Sequence, residues 1–531
     1  MFFVCQVHII LLVLLLPFTS ALECCSGSCT VSTTTGQYAG VEDSDGIRFL
    51  SVRYAQPPLG SLRFADPVAF FPDGNTTYPA STLPPFCIQN VDVPQSEDCL
   101  FLNVFRPQIS SQNTFPVLVW IHGGSFYYGG SSDPVIYGAN LAKQEKIIVV
   151  TINYRLGLLG FLDDGNNTNF AIKDVILALK WVKQNIATFG GDSGRVSVGG
   201  QSSGGGMIRA LLSTINSIGL YRNVIIQSDP MDFGFNTRTT SVGTISTVFA
   251  SATGCTTFAC ARGLGTDSIL AVQAQIIAGG HSLNSALSLG TPIAPVIDGT
   301  LIKKDFGQYI EQGTLPVQVP ALIGTTKDEA NSMIEEISAD PLNFFLYPFA
   351  LQQIVGTARA AIILASLQFV PNLFESDAAR RELGFFSTLF LWTCAVQKNV
   401  LKYVKTSGKN VYLYEFEAGI NYPEIGTLSL CQGSYVCHQA DIYPLFGTFN
   451  TSAVSSDQVR LSDEVQARWG AFIKSGNPNT GHYINWPVVE NVNRLNALRL
   501  GQGKIAKKLY SEKCGWLLGG IIKFDYELYS R

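Results

Sequence analysis

Residues 199–206 read GGQSSGGG and lie between a predicted strand at 195–198 and a predicted helix at 207–212. Within them, residues 200–204 fit the pattern Gly-x-Ser-x-Gly, which predicts Ser202 at the tip of a sharp strand-to-helix turn. Such a turn strains the serine backbone and exposes its hydroxyl, and the flanking glycines leave room for it to pack. The pentapeptide alone is equally compatible with a plain glycine-rich turn or a phosphate-binding loop, although the chain lacks the Lys-Ser/Thr ending of a P-loop.

Apolar strands alternate with helices on both sides of this turn. Continuous apolar runs rich in β-branched residues at 115–121 and 146–152 are typical of strands covered on both faces. Apolar residues recur at helical spacing over 170–188, which predicts a helix with one buried face. Further strands are predicted at 223–227, 320–323 and 410–416. We therefore predict an α/β fold with a large, doubly wound, mostly parallel central sheet covered by helices on both faces.

Composition excludes several classes of protein. Of 531 residues, 46% are hydrophobic and 14% are charged, and the formal net charge is −4. Disorder requires low hydrophobicity with high net charge, and nucleic-acid binders usually carry a basic excess, so both are disfavoured. A chain of this length can bury a large core, and we expect residues 22–531 to form one domain.

The N-terminal segment predicts a targeting signal. Residues 9–16 are continuously apolar but too short to span a bilayer, Pro17 ends the run, and small residues follow up to Ala21. Residues 1–21 therefore predict a signal peptide, although the usual Lys or Arg near the start is missing. No later stretch has the apolar length of a spanning helix, so we expect a secreted chain without stable membrane insertion.

Cysteines and sequons agree with an oxidising compartment. The chain has 12 Cys, and several form pairs close in sequence: Cys87 and Cys99, Cys255 and Cys260, Cys431 and Cys437. None of these pairs has the second pair and nearby His that a zinc site needs, so disulfides are the preferred interpretation. Glycosylation is predicted at the sequons of Asn75, Asn166 and Asn450.

A serine hydroxyl needs a base to become a nucleophile. The chain has five His, and His438 lies late, after a predicted strand, where the base of an α/β-hydrolase triad falls in chain order. The acid must then lie between Ser202 and His438, just past a strand. Asp328 and Glu329 both meet this condition, and the residues alone leave the choice between them open.

Donors for a developing oxyanion are predicted just after another strand. The sequence IHGGSF at 121–126 offers the bare backbone N–H groups of Gly123 and Gly124, because glycine allows close approach. The N–H of Ser203, directly after the serine, would be a third donor. Glycine loop, serine, acid and histidine, in this chain order and each at a strand end, form a far more specific signal than any one of them.

With these features, the sequence resembles the type-B carboxylesterase/lipase family, which includes cholinesterases and fungal lipases, over residues 37–516. The matching stretches are RYAQPPLG at 53–60, RF at 63–64, SEDCL at 96–100, FGGD at 189–192, GQSSG at 200–204, PVIDG at 295–299, SGNPN at 475–479 and WP at 486–487. The resemblance implies an α/β-hydrolase fold and an ester hydrolase similar to secreted carboxylesterases of fungi and slime moulds. It implies these roles: Ser202 as nucleophile, Glu329 as acid, His438 as base, and Gly123, Gly124 and Ser203 as oxyanion donors.

The resemblance also implies structural pairs. Arg63–Glu97 and Arg155–Asp174 resemble the buried ion pairs of the family. Four disulfides are implied: Cys87–Cys99, Cys255–Cys260, Cys394–Cys514 and Cys431–Cys437. Outside the predicted signal peptide, the unassigned cysteines are Cys24, Cys25 and Cys29, an odd number that leaves one free or intermolecular.

Departures from the family pattern bear on the substrate. Cholinesterases have Glu before the nucleophile and a Trp in the first disulfide loop, which together hold a quaternary ammonium. This chain has Gln201 there, and residues 88–98 contain no aromatic residue, so choline esters are disfavoured. The same loop is too short for the large lid of the family's lipases. Ser203 replaces the usual Ala without changing the N–H, and Asp441 stands where Glu is usual.

We therefore expect a secreted serine carboxylic-ester hydrolase that acts through an acyl-enzyme on neutral, apolar, small-molecule esters, without a metal or cofactor. The alternatives are a catalytically silent adhesion or storage protein on the same fold, and a lipase acting on insoluble acylglycerols. Silent relatives usually lack the serine, the acid or the histidine, and this chain has all three, which favours the enzyme. The sequence does not define an oligomeric state.

Overall fold

The structure is a computed structural model of the full chain. It describes residues 22–515 except 26, 73, 75, 109–113, 284–291, 374, 376, 420–427, 450, 451 and 453. The predicted signal peptide at 1–21 and the sequons of Asn75 and Asn450 fall outside the described residues, whereas Asn166 is exposed on the surface.

Eighteen strands are found among the described residues. They are β1 (Glu23–Cys25), β2 (Ser28–Thr33), β3 (Gly36–Asp43), β4 (Gly46–Arg53), β5 (Thr77–Pro79), β6 (Phe86–Cys87), β7 (Gln95–Ser96), β8 (Phe101–Arg106), β9 (Phe115–Ile121), β10 (Ile148–Ile152), β11 (Gly191–Gln201), β12 (Asn223–Gln227), β13 (Asn236–Thr237), β14 (Val296–Ile297), β15 (Ala321–Thr326), β16 (Val411–Phe416), β17 (Ala497–Leu500) and β18 (Lys504–Ala506).

Fourteen of these strands form one large sheet, in the order β1-β2-β3-β4-β8-β10-β9-β11-β12-β15-β16-β17-β18, with β5 beside β3. The pairs β6-β7 and β13-β14 form two separate two-stranded sheets. The strands from β10 to β17 are parallel neighbours, and the flanking pairs are antiparallel. The chain moves from β9 to β10 on one side and then returns to β11 on the other side of β9. This reversal confirms the predicted doubly wound, mostly parallel sheet.

Sixteen α-helices connect and cover the sheet within the described residues. They are α1 (Ala139–Glu145), α2 (Gly157–Phe161), α3 (Phe170–Asn185), α4 (Ser203–Leu212), α5 (Arg238–Thr240), α6 (Thr247–Thr253), α7 (Phe258–Ala261), α8 (Thr266–Leu283), α9 (Phe306–Gln312), α10 (Asn331–Ile337), α11 (Tyr347–Val355), α12 (Thr357–Ser366), α13 (Ala378–Thr388), α14 (Cys394–Ser407), α15 (Ile442–Phe446) and α16 (Ser456–Ser475). A π-helical segment, Leu389–Thr393, joins α13 to α14. None of these helices combines the length and apolar character needed to cross a bilayer.

Every residue of strand β9 is apolar, without the alternation of apolar and polar residues found in strands with one exposed face. Val117 and Val119 belong to the apolar core on one face of the sheet, and Leu118 and Trp120 belong to the core on the other face. All four side chains are buried. Because helices cover both faces, each position along the strand must be apolar.

The register of the parallel strands brings their C-terminal ends to one edge. Gly200 of β11 lies opposite Ile121 of β9 and Ile226 of β12. The residues that follow these strands therefore begin at the same level. Ligand sites of open α/β sheets lie at this edge, near the point where strand order reverses.

Ion pairs and disulfides fix the segments that connect the strands and helices. Arg155 and Asp174 are fully buried with a shortest N–O distance of 2.6 Å, and Arg63 pairs with Glu97. The structure contains the four disulfides that the resemblance implies: Cys87–Cys99, Cys255–Cys260, Cys394–Cys514 and Cys431–Cys437. A fifth disulfide joins Cys24 to Cys29, whose pairing the sequence left open.

Candidate active site

Ser202 lies on a strained turn between β11 and α4. Its backbone has φ 56° and ψ −126°, a combination that a residue with a side chain rarely adopts. The turn packs directly on the end of β9. A Cβ at Gly204 would lie 2.2 Å from the carbonyl oxygen of Ile121, and one at Gly200 would lie 2.7 Å from the carbonyl oxygen of Gly204. The glycines are therefore needed for close packing, and the turn has the geometry of a nucleophile elbow.

An acid and a histidine meet beside this turn. Glu329 Oε2 lies 2.6 Å from His438 Nδ1, and both side chains are buried. Glu329 Oε1 accepts a hydrogen bond from the backbone N–H of Thr326 at the end of β15, which fixes the carboxylate. Asp328, the other candidate, instead accepts from the N–H of Val436 at 2.9 Å and so holds the segment that leads to the histidine. The geometry thus distinguishes the two carboxylates, a choice that the residues alone left open.

The second ring nitrogen of His438 has an unexpected partner. The side-chain amide nitrogen of Gln201 lies 3.0 Å from His438 Nε2. Because Glu329 accepts the Nδ1 proton, Nε2 of the neutral ring is an acceptor, and the amide donates to it. Among the described residues, no hydrogen bond joins Ser202 Oγ to the ring. The Gln201 amide therefore takes the hydrogen-bonding position on Nε2 that a serine nucleophile would use.

The glycine loop after β9 lies against the elbow. A Cβ at Gly123 would lie 2.8 Å from the carbonyl oxygen of Gln201 and 3.2 Å from Cβ of Ser202. Gly124 has φ 109°, a conformation that favours glycine. Within the described part of the chain, no acceptor takes the N–H of Gly123, Gly124 or Ser203. These three donors are therefore available to a ligand beside the serine.

His122 supports this loop from below and remains neutral. Its ring stacks on Tyr154 with centroids 4.5 Å apart, and the Tyr154 hydroxyl donates to the His122 carbonyl at 2.9 Å. Burial lowers the pKa of His122 to about 4. At neutral pH the imidazole therefore carries no charge next to the donors.

A buried carboxyl lies behind the histidine. Asp441 accepts hydrogen bonds from the Tyr414 hydroxyl at 2.6 Å and from the Gln227 amide at 2.8 Å, and its other oxygen has no protein donor among the described residues. Burial raises the pKa of Asp441 to about 6, with a smaller contribution from the negative charge of Glu329. The sequence marked this position only as a departure from the family, without a role.

A cavity of about 80 Å³ opens at Ser202. Its lining combines apolar and charged side chains: Ser125, Phe126, Ser202, Ser203, Arg209, Asp229, Pro230, Phe233, Gly234, Phe235, Asn236, Ala294, Pro295, Met333 and Trp392. Sequence analysis did not single out Arg209 or Asp229. The cavity gives a substrate access to the elbow.

Side chains of metal-ligating types lie close together at one place in the described part of the chain. The one compact group of possible ligand residues there is Cys24, Cys29 and Glu42. The two cysteines are joined in a disulfide, which removes the thiolates that would bind a metal.

Comparison with known proteins agrees with this geometry. A model of the carboxylesterase family matches residues 28–517. Para-nitrobenzyl esterase of Bacillus subtilis (strain 168) is 29% identical over 511 residues, which cover 91% of this chain and 97% of the esterase. The cAMP-regulated D2 protein of Dictyostelium discoideum is 30% identical, over 85% of this chain and 84% of that protein. A solved PNB esterase structure superimposes with a TM-score of 0.76 and 27% identity, over 92% of this chain and 99% of that chain. The chain therefore belongs to the carboxylesterase family of carboxylic ester hydrolases.

Proposed function

We propose that this protein is a serine esterase that hydrolyses neutral esters through an acyl-enzyme. The supporting observation is the hydrogen bond between Glu329 and His438 beside the strained elbow of Ser202. A neutral imidazole held in this tautomer presents Nε2 as a base. Three backbone N–H donors that have no acceptor among the described residues lie beside the serine.

The chemistry follows from these positions. Ser202 Oγ attacks the acyl carbon, and His438 Nε2 takes the serine proton while the N–H groups of Gly123, Gly124 and Ser203 bind the oxyanion. The imidazolium then gives its proton to the leaving alcohol, and the acyl group stays on the serine. Water repeats the cycle and releases the acid. The Gln201 amide must leave Nε2 before the first step, because an acceptor engaged by a donor is not free to take a proton.

A neutral and mainly apolar substrate agrees with the cavity walls. Phe126, Phe233 and Trp392 supply aromatic surface next to the serine. Gln201 carries no charge where a cationic substrate would need one. The net charge of −4 is too small to concentrate a cation by long-range attraction.

The test is hydrolysis of short p-nitrophenyl esters by Ser202→Ala. We expect kcat to fall on the order of 10⁶-fold, because loss of a triad nucleophile removes the covalent route. Ser213→Ala is the matched control, since Ser213 is a buried serine at the far end of α4. Unchanged activity of Ser202→Ala contradicts the proposal.

Two other outcomes identify the alternatives. A wild-type protein that is inert across acyl lengths and is not labelled by a fluorophosphonate would be a silent adhesion or storage protein. A rate that rises sharply once the substrate exceeds its solubility would indicate a lipase. Each catalytic step uses groups that the chain itself supplies, so we expect chelators to leave the rate unchanged.

We also propose secretion as a single domain of residues 22–531 after removal of residues 1–21. The support is the apolar N-terminal run together with five disulfides, which persist in oxidising compartments. Mass spectrometry of the protein from a eukaryotic culture medium should give an N-terminus at Leu22 and glycans at Asn75, Asn166 and Asn450. Retention in the cell with an intact Met1 contradicts this assignment.

A further inference from the structure

The cavity at Ser202 borders the proposed nucleophile but not the proposed base. It is lined by Ser202 and Ser203, whereas His438, although described, does not line it. In the proposed reaction the leaving alcohol receives its proton from His438 and must depart beside that ring. The acyl group remains bonded to the serine, so a cavity that touches the serine and not the base suits the acyl group.

Two charged side chains form part of this cavity. Arg209 Nε lies 2.6 Å from Asp229 Oδ2, and a second guanidinium nitrogen lies 3.1 Å from Oδ1. The side chains are 4% and 2% exposed, so the pair is shielded from water. The remaining guanidinium nitrogen donates to the Phe233 carbonyl at 2.9 Å, and the guanidinium lies over the Phe235 ring at 5.3 Å. These contacts fix the guanidinium in one orientation.

The glycines after the nucleophile make room for the pair. A Cβ at Gly205 would lie 2.7 Å from Cβ of Asp229, and one at Gly206 would lie 2.8 Å from the ring of Phe126. Arg209 lies on α4, about two turns beyond Ser202, the residue that precedes the helix. The sequence GGG therefore allows a carboxylate to pack close to the elbow and to hold an arginine in the acyl cavity.

The hydrogen bonds of the Arg209–Asp229 pair leave some N–H donors of the guanidinium unused among the described residues. A guanidinium has five N–H donors, and Asp229 and the Phe233 carbonyl use three of them. An all-carbon acyl chain packed against Arg209 would offer the remaining donors no acceptor. A carboxylate would meet the negative charges of Asp229, Asp232 and Asp305, which all act on this guanidinium. A neutral oxygen acceptor satisfies the donors without that repulsion.

We propose that the Arg209–Asp229 pair selects acyl groups that carry a neutral hydrogen-bond acceptor, such as an ether, hydroxyl or keto oxygen, over all-carbon chains of equal length. This inference rests on the proposed esterase function and specifies the acyl half of its substrate. It revises the expectation of a purely apolar acyl group.

The test compares matched ester pairs. A series of p-nitrophenyl methoxyalkanoates, with the ether oxygen at successive positions, is paired with the alkanoates of equal chain length. Each kcat/KM is divided by the rate of hydroxide-catalysed hydrolysis, which removes the inductive effect of the oxygen. For at least one oxygen position, we expect wild type to prefer the ether by about tenfold, the size of one hydrogen bond to a charged group. A wild-type preference for the alkanoate at every position overturns the proposal without any variant.

The double variant Arg209→Met/Asp229→Leu removes both charges together, so that neither is left buried and unpaired. We expect its ether preference to fall to about one, with the alkanoates hydrolysed faster than by wild type. Arg155→Met/Asp174→Leu is the matched control, because that pair is equally buried and does not line the cavity. Titration with a fluorophosphonate normalises each rate to the folded, competent fraction.

The outcomes separate the inference from the function on which it rests. A tenfold ether preference that persists in Arg209→Met/Asp229→Leu overturns the inference and leaves the esterase function standing. Absence of hydrolysis of every ester by wild type overturns the proposed function itself. An equal loss of ether preference in the control pair also overturns the inference, because the effect would then come from general loosening of the fold.

Discussion

Replacing Gln201 by glutamate tests how the base is held. In the structure an uncharged amide donates to His438 Nε2 at 3.0 Å, and Gln201 is 3% exposed. A carboxylate at this position would favour the protonated, charged imidazole. Because His438 must be neutral to take the serine proton, the low-pH limb of the kcat/KM profile should move to higher pH.

The magnitude follows from the distance. Two unit charges about 4 Å apart attract by about 4 kcal/mol at an effective dielectric constant of 20, equivalent to about three pH units. The position is buried, and burial opposes ionisation of the new carboxyl. We therefore expect a net displacement of about one to two pH units toward higher pH.

The assay is kcat/KM for a short p-nitrophenyl ester between pH 4 and pH 9, with active enzyme counted by fluorophosphonate titration. Gln201→Met is the control, since it removes the amide, whose donation favours the neutral ring, without adding charge; it should move the limb upward by less than Gln201→Glu does. An acid limb of Gln201→Glu within about 0.3 pH units of wild type would refute the reasoning. An equal upward shift in Gln201→Met would show that loss of the amide, and not charge, is the cause.

Three further changes probe the supports of the site. Burial raises the pKa of Asp441 to about 6 from 3.8, so the folded protein binds this proton more tightly than the unfolded chain does. As the pH rises from 4 to 6, the free energy of unfolding therefore falls by about 3 kcal/mol. Urea unfolding of Asp441→Asn should lack this fall, and a pH dependence of stability equal to that of wild type would contradict the prediction. Gly123→Ala should lower kcat ~100-fold and also lower Tm, because its Cβ would lie 2.8 Å from the backbone carbonyl oxygen of Gln201 and would push the loop and its N–H away from the elbow; activity and Tm near wild type would show that the close packing of this loop does not matter for the reaction. Cys431→Ser/Cys437→Ser should lower the free energy of unfolding by about 2 kcal/mol. It should also reduce kcat, because Cys437 directly precedes His438 in the chain. An unchanged Tm and kcat would show that the disulfide does not order that segment.

The central strands could be predicted from the sequence because both of their faces are buried. Strand β9 has the predicted bounds, Phe115–Ile121. Strand β11 extends well beyond the predicted 195–198, to Gly191–Gln201, because its glycines and polar residues carry no apolar signal and pair only in the folded sheet. Helix α4 begins at Ser203, ahead of the predicted 207, because packing on the end of β9 overrides the poor helix propensity of three glycines.

The site was predictable in its residue types and less so in its contacts. The motifs pointed to Ser202, and the resemblance chose Glu329, which the structure places on His438. The Gln201–His438 contact joins residues 237 positions apart, and no local pattern carries that information. The Arg209–Asp229 pair likewise depends on how α4 packs against the segment after β12.

The most direct measurement is covalent labelling by a fluorophosphonate, followed by peptide mass mapping of the intact protein. We expect one equivalent of label on Ser202, loss of ester hydrolysis in proportion to labelling, and no incorporation by Ser202→Ala. Label on another residue, or full ester hydrolysis by a protein whose Ser202 is completely labelled, would contradict the assignment of Ser202 as the nucleophile.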